Sequence, residues 1–230
     1  MANKLYIYAF SDHTEVVKEE ISNKKALLKK RINRSDNFVN LALLGAEKCL
    51  EGMELKQMTN LYMASNNGNM NASIKVLSAI FREKKRPMPF NFLNSVNASI
   101  LFFIAKSFGI EGKAIFTDLL ESALPQAYVD VLNGEEVLLG VVNEAIADLE
   151  LHRKKFKCET IKEHSRWLLL SSEIKEQKAL ATIEAFCFEK CDYNEKASAE
   201  LFTFLEDEEE GSYSFRSNNL SFVVTKGKQS

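Results

Sequence analysis

Gly112-Lys-Ala-Ile-Phe-Thr-Asp-Leu-Leu-Glu-Ser-Ala-Leu-Pro125 is the stretch on which the fold turns. Its first half suits a strand, its second half a helix, and few residues separate the two. Proline is tolerated in the first turn of a helix but not deep inside one. Ser122 as N-cap puts Pro125 in that first turn and makes Leu119 to Glu121 a sharp corner. The helix then runs to about Asn133, and Gly134 in the C′ position stops it. Glu136-Val-Leu-Leu-Gly-Val-Val142 follows as a central strand. Strand, corner, helix and strand in so short a span form the unit of an α/β sheet.

The flanks extend this pattern. Lys4 to Phe10 alternates and is rich in β-formers, so it reads as a first strand. Thr14 to Lys30, with Val16, Val17, Ile21, Leu27 and Leu28, reads as a surface helix. Ser35 or Asp36 caps a buried helix that stops near Gly52. Asn60 to Ser65 is a buried strand entering a turn at Asn66-Asn-Gly68. A helix from Asn71 to Lys84 is expected to turn Ile74, Val76, Leu77, Ile80 and Phe81 inward. Pro87 and Pro89 break the chain before Ser95 to Phe108, a helix so evenly apolar that it must be covered on most sides. Arg166 to Ser171 and Ala179 to Cys191 read as strands, Glu195 to Leu205 as a helix, and Tyr213 to Arg216 with Leu220 to Thr225 as a last hairpin. No repeat or linker marks a boundary, so residues 1–230 read as one domain.

Composition narrows the function. The 230 residues are 46% hydrophobic and 27% charged, which excludes wholesale disorder. Thirty basic against thirty-two acidic side chains give a net charge of -2, which disfavours a general nucleic-acid binder. The longest apolar run, Ser99-Ile-Leu-Phe-Phe-Ile-Ala105, is too short for a membrane span. The first residues lack the apolar core and cleavage site of a signal peptide, so a cytoplasmic protein with free thiols is expected. Histidines at 13, 152 and 164 are too scattered for a metal site, and phosphate-loop, dinucleotide and zinc motifs are missing, so neither metal nor cofactor is expected.

Few residues carry chemistry. A strand–corner–helix is a place where enzymes mount a nucleophile, because a helix N-terminus stabilises negative charge. Here the corner offers Asp118, Glu121 and Ser122 but no cysteine; it reads either as a capped helix or as a reactive site. Lys24, Lys25, Lys29, Lys30, Arg31 and Arg34 form a basic cluster, echoed by Arg153, Lys154, Lys155 and Lys157. Each is either a solvated surface or a docking patch for an acidic partner. Cys187 and Cys191, four apart in one strand, would sit about 13 Å from each other, too far for a disulfide. The acidic run Glu206 to Glu210 reads as a solvated loop.

The order of elements, with Asn94-Ser-Val-Asn-Ala98, Gly112-Lys-Ala-Ile115 and Glu121-Ser122, resembles the N-terminal domain of β-ketoacyl synthase-like proteins. It is most similar to the short stand-alone kind found with aryl-polyene and polyketide-type lipid pathways. Members carry an early basic helix like Lys30-Arg-Ile-Asn-Arg34 and a strand ending like Ala64-Ser-Asn-Asn-Gly68. A Ser-Val-His-Asn-Ala motif follows, in which Val96 here replaces the histidine. The resemblance implies a thiolase-like half-fold: a mixed, mostly parallel sheet with helices on both faces. It also implies Asn97 as a substrate-binding residue.

Condensing members need a cysteine at the corner and C-terminal histidines, and this chain offers neither. The resemblance therefore implies an accessory protein, catalytically silent alone, in fatty-acid or polyketide-type lipid synthesis. Its partners would be acyl carrier protein, docked on the Lys24–Arg34 cluster, or a complete ketosynthase. Acyl transfer or decarboxylation by Glu121 and Ser122 is one alternative, and a purely structural interaction module is the other. As half of a larger architecture, the chain is expected to present the Ser95–Phe108 helix and the corner helix to another subunit, in a homo- or hetero-oligomer.

Overall fold

The computed structural model describes residues 4–29, 35–173 and 178–227. Its strands are β1 (Leu5–Val17), β2 (Asn60–Ala64), β3 (Ala114–Thr117), β4 (Val137–Asn143), β5 (Ile161–Ser171), β6 (Ala181–Phe188), β7 (Gly211–Ser217) and β8 (Leu220–Lys226). Its α-helices are α1 (Asn37–Cys49), α2 (Met70–Leu77), α3 (Pro89–Asn94), α4 (Ser99–Phe108), α5 (Leu120–Leu132), α6 (Leu149–Phe156) and α7 (Ala197–Glu206). The strands form one eight-stranded sheet in the order β3-β2-β4-β5-β1-β6-β8-β7.

The mixed sheet has helices on both faces, as expected, but its pairing is mostly antiparallel. Only β2 with β3 and β2 with β4 run parallel. The five remaining pairings are antiparallel. The reason is the length of β1 and the strand-rich tail. Thr14 to Val17 belongs to a strand rather than to the expected surface helix: β1 runs on against β5 until Val17 pairs with Ile161. The β-branched Thr14, Val16 and Val17 suit that ladder. Only a short 3-10 turn, Lys24–Ala26, remains of the helix. The tail then adds β6, β8 and β7 to the free edge of β1.

Alternation along the strands divides the core. Leu168 and Leu170 face one side with Leu139 and Val141; Trp167 and Leu169 face the other with Leu138 and Val142. On the second side lie α1 and α4. α1 starts where Asp36 caps it, accepting from the Val39 amide at 3.1 Å. Gly140 lies flat under the Trp167 ring, where a Cβ would come within 2.5 Å of ring carbon. On the first side, α5 packs with tail residues Leu201, Phe202, Phe215 and Phe222 in one buried cluster. Each such side chain stabilises by about 1.5–3 kcal/mol.

Three further expectations are corrected. The N-cap of α5 is Leu119, not Ser122, so Pro125 lies inside the helix, where it removes the hydrogen bond to the Glu121 carbonyl. The Asn71–Lys84 helix ends as α2 at Leu77 and continues as a π turn, Ser78–Arg82. Its Leu77, Ile80 and Phe81 point outward rather than inward. The buried face of α5 is closed within the chain, in one cluster with tail residues, while its outer face keeps Val129 and Leu132 exposed. An unexpected helix, α6, carries Arg153, Lys154 and Lys155 in its last turn, where cations suit the helix dipole.

Candidate functional site

The parallel strands end together. Ala64 of β2 pairs with Thr117 of β3 on one side and with Val141 of β4 on the other. The loops leaving these strands therefore converge at one edge, the place where open α/β sheets bind ligands.

The loop after β2 is a fixed turn. Gly68 adopts φ +55°, and its N–H donates to Ser65 Oγ at 2.9 Å. Asn97 is spent on this turn: its Oδ1 accepts from the Asn69 amide at 2.9 Å, and its amide lies where a Cβ at Gly68 would be. Ser65 Oγ also donates to Asn143 Oδ1 at 3.1 Å, and the Asn143 amide nitrogen is 3.1 Å from His164 Nε2. Burial, aided by the Arg166 charge, holds the His164 pKa down to about 3, so its neutral Nε2 accepts this bond.

At the corner, Ser122 Oγ donates to Asp118 Oδ1 at 3.1 Å. No imidazole hydrogen-bonds it among the described residues. Glu121 is buried and accepts a hydrogen bond from Ser217 Oγ, at the end of β7. The Asn194 amide donates to the same Ser217 Oγ at 3.0 Å, and Asn66 Nδ2 donates to Tyr193 Oη at 3.4 Å. Burial raises the Tyr193 phenol pKa, so it stays protonated. The segment around Tyr193 and Asn194 thus spans the corner. The structure brings Glu121 and Ser122 together without assembling a nucleophile–base pair.

One member of the basic cluster is withdrawn from the surface. Lys24 is fully buried, with Nζ 2.5 Å from Glu15 and 3.1 Å from Glu163, so it belongs to an internal ion pair and not to a docking patch. A lone buried ammonium is too costly to keep without such partners. Lys29 is exposed and paired with Glu51 at 2.8 Å. Lys25 is half-buried. Lys30, Arg31 and Arg34 lie outside the described residues.

One surface is unsealed. Leu77, Phe81, Met88, Phe92, Leu93 and Phe102 are all exposed, and Phe81, Met88 and Phe102 are 65, 65 and 64% accessible. They come from α2, the π turn, the α3 region and α4. α4 lies against β3, which among the described residues pairs with β2 alone. An apolar surface therefore adjoins a free strand edge.

Sequence reasoning singled out Glu121, Ser122 and Asn97 but missed Ser217, Tyr193, Asn143 and His164. The alternation at Val142–Asn143 and Ser165–His164 was the available signal for the last two. No group of three or more His, Cys, Asp or Glu side chains suited to a metal occurs among the described residues. Nor is any described helix long and apolar enough to cross a membrane.

No family model and no curated protein sequence matches the chain. Solved structures do. A chain from the complex of a ketosynthase (ApeO) with its chain length factor (ApeC) from Xenorhabdus doucetiae is 14% identical, with a TM-score of 0.64 over 97% of this chain and 99% of that one. The ishigamide ketosynthase/chain length factor is 15% identical with a TM-score of 0.59, over 74% of this chain and 53% of that one. The ketosynthase assembly AntDE:AntF, a type II polyketide synthase acyl-carrier protein in complex with its ketosynthase, is 11% identical with a TM-score of 0.62, over 86% and 67%. The chain has the thiolase-like fold of ketosynthases.

Proposed function

We propose that this chain is a non-condensing, ketosynthase-like accessory subunit of polyketide-type or fatty-acid assembly, paired with a complete ketosynthase much as a chain length factor is. The observation that carries this reading is the contrast between a closed corner and an open apolar face. Where condensing relatives mount a nucleophile, Glu121 is tied to Ser217 and Ser122 faces a carboxylate. That arrangement offers nothing to the alternative of acyl transfer by these two residues.

The open face argues for a partner. Large aromatic and aliphatic side chains on α2, α3 and α4 border β3, whose free edge can extend into a partner's sheet. The acidic acyl carrier protein docks on the remaining basic residues, Lys25 and Lys29 with Lys30, Arg31 and Arg34. Lys24 takes no part.

Co-expression with a complete ketosynthase from the same source tests the pairing. A stable complex is expected by light scattering, and Phe102→Asp or Phe92→Asp abolishes it while leaving circular dichroism unchanged. A monodisperse monomer that ignores the ketosynthase overturns the proposal. Incubation with labelled malonyl-carrier protein tests the silent corner: no adduct is expected, and label on Ser122 refutes it.

A further inference from the structure

A cleft of about 570 Å³ lies between the Lys25 loop, the first turn of α1, α2 with the π turn, and the loop from β4 to α6. Three helix N-caps line it: Asp36 of α1, Asn69 of α2 and Asp148 of α6.

Its hydrogen-bond acceptors are spent on the protein itself. Asp36 Oδ1 caps α1 and its Oδ2 accepts from Asn69 Nδ2. Asp148 Oδ1 accepts from the Leu151 amide at 3.0 Å, and Asn71 Oδ1 from the Ala147 amide at 2.8 Å. Asn37 Oδ1 accepts from the Lys24 amide at 3.2 Å, and Asn40 Oδ1 from Ser35 Oγ at 2.7 Å. Some of its donors are spent as well, Asn69 Nδ2 on Asp36 and Asn71 Nδ2 on the Ala145 carbonyl at 2.8 Å. Asn37 Nδ2 is buried and faces the Glu144 carboxyl. Lys25, Lys75 and Arg82 line the cleft and form no ion pair among the described residues. Three cations that face one cleft without a carboxylate partner favour an acceptor-rich, anionic ligand there.

Glu144, only 5% exposed, completes the lining. Burial raises its pKa to about 7, with Asp36 and Glu163 pushing the same way and the Asn71 and Asn37 amides pulling back. Asp148, Lys24, Lys25, Lys75 and Arg82 are the other charges around it. Near neutral pH it therefore carries a proton about half the time and then serves as one more donor.

We propose that this cleft binds a small organic oxyanion, phosphoryl- or carboxylate-bearing, and takes up a proton on Glu144 as it does so. Arg82 and Lys75 hold the anionic group at the mouth, and the Asn37 amide and protonated Glu144 meet its inner oxygens. An anion that approached ionised Glu144 would be repelled, so protonation and binding favour each other.

Calorimetric titration of the full chain with inorganic pyrophosphate and, separately, succinate tests this, and the probe that binds identifies the head group. Arg82→Ala and Lys75→Ala are expected to weaken binding severalfold, whereas Lys196→Ala, an equal charge change on the tail, leaves it intact. From pH 8 to pH 6, wild-type affinity is expected to rise about tenfold relative to Glu144→Gln, since the competent protonated fraction rises by that factor. Comparison with Glu144→Gln cancels the titration of the probe. No binding of either probe at millimolar concentration, or equal weakening by Lys196→Ala, overturns the site. An identical pH profile in wild type and Glu144→Gln overturns the proton uptake.

Discussion

Glu121, in the first turn of α5, is held by the hydroxyl of Ser217, which stands 96 residues later at the end of β7. This bond ties the corner to the tail of the chain. Ser217→Ala leaves a buried carboxylate without its donor, a loss of about 1–3 kcal/mol. Urea denaturation is expected to show that loss, and Glu121→Leu combined with Ser217→Ala is expected to recover part of it. Additive effects in the double variant would mean that the two residues do not couple.

Lys24 and Glu163 make the same point at the other end of the chain. Both side chains are fully buried, 3.1 Å apart. Lys24→Met strands Glu163, and breaking a buried pair from one side costs about 3–5 kcal/mol. Replacing both, as Lys24→Met with Glu163→Leu, is expected to be far milder than Lys24→Met alone. A Lys24→Met variant as stable as wild type would show that the pair is not needed.

How much was legible in the sequence follows from which forces are local. Asp36 before an apolar run marked α1, and Gly134 after one marked the end of α5, because caps act within a turn. Val16, Val17, Ile21, Leu27 and Leu28 have helical spacing, yet the ladder between β1 and β5 claims the first two. Strand pairing across so long a separation leaves no local trace. Lys24 looked like part of a basic patch because Glu163 is invisible in its neighbourhood of the sequence. Glu121 and Ser122 were found, but the Ser217 hydroxyl that holds Glu121 comes from the far end of the chain. Leu77 and Phe81 looked like core because hydrophobicity does not tell whether a side chain faces its own core or stays exposed.

Gly140 and Trp167 face each other across β4 and β5. A Cβ at position 140 would lie 2.5 Å from the Trp167 ring, inside a core with no room to yield. Gly140→Ala is expected to cost about 1–3 kcal/mol through displacement of that ring. Trp167 is the only tryptophan, so its fluorescence reports the change directly. An unaltered emission spectrum with unaltered stability would mean that the ring shifts freely.

Glu144 and His164 give the fold opposing pH responses. The Glu144 pKa stands near 7 when folded, above the ordinary carboxyl value of 4.5. Between those values the folded state holds more protons than the unfolded one, so its contribution is present at low pH and is lost as pH rises toward 7. His164 falls from 6.5 to about 3 on folding. Over that interval the unfolded state holds more protons, so stability is lost as pH falls. Across the range they share the two slopes oppose each other. Glu144→Gln should therefore make stability rise more steeply with pH up to neutrality, and His164→Gln should tilt the profile the other way, each by about 1–3 kcal/mol over the window. Chemical denaturation at closely spaced pH values measures both slopes. If Glu144→Gln left the slope unchanged, its carboxyl would be ionised in the folded protein and the donor role assigned to it in the cleft would be lost as well.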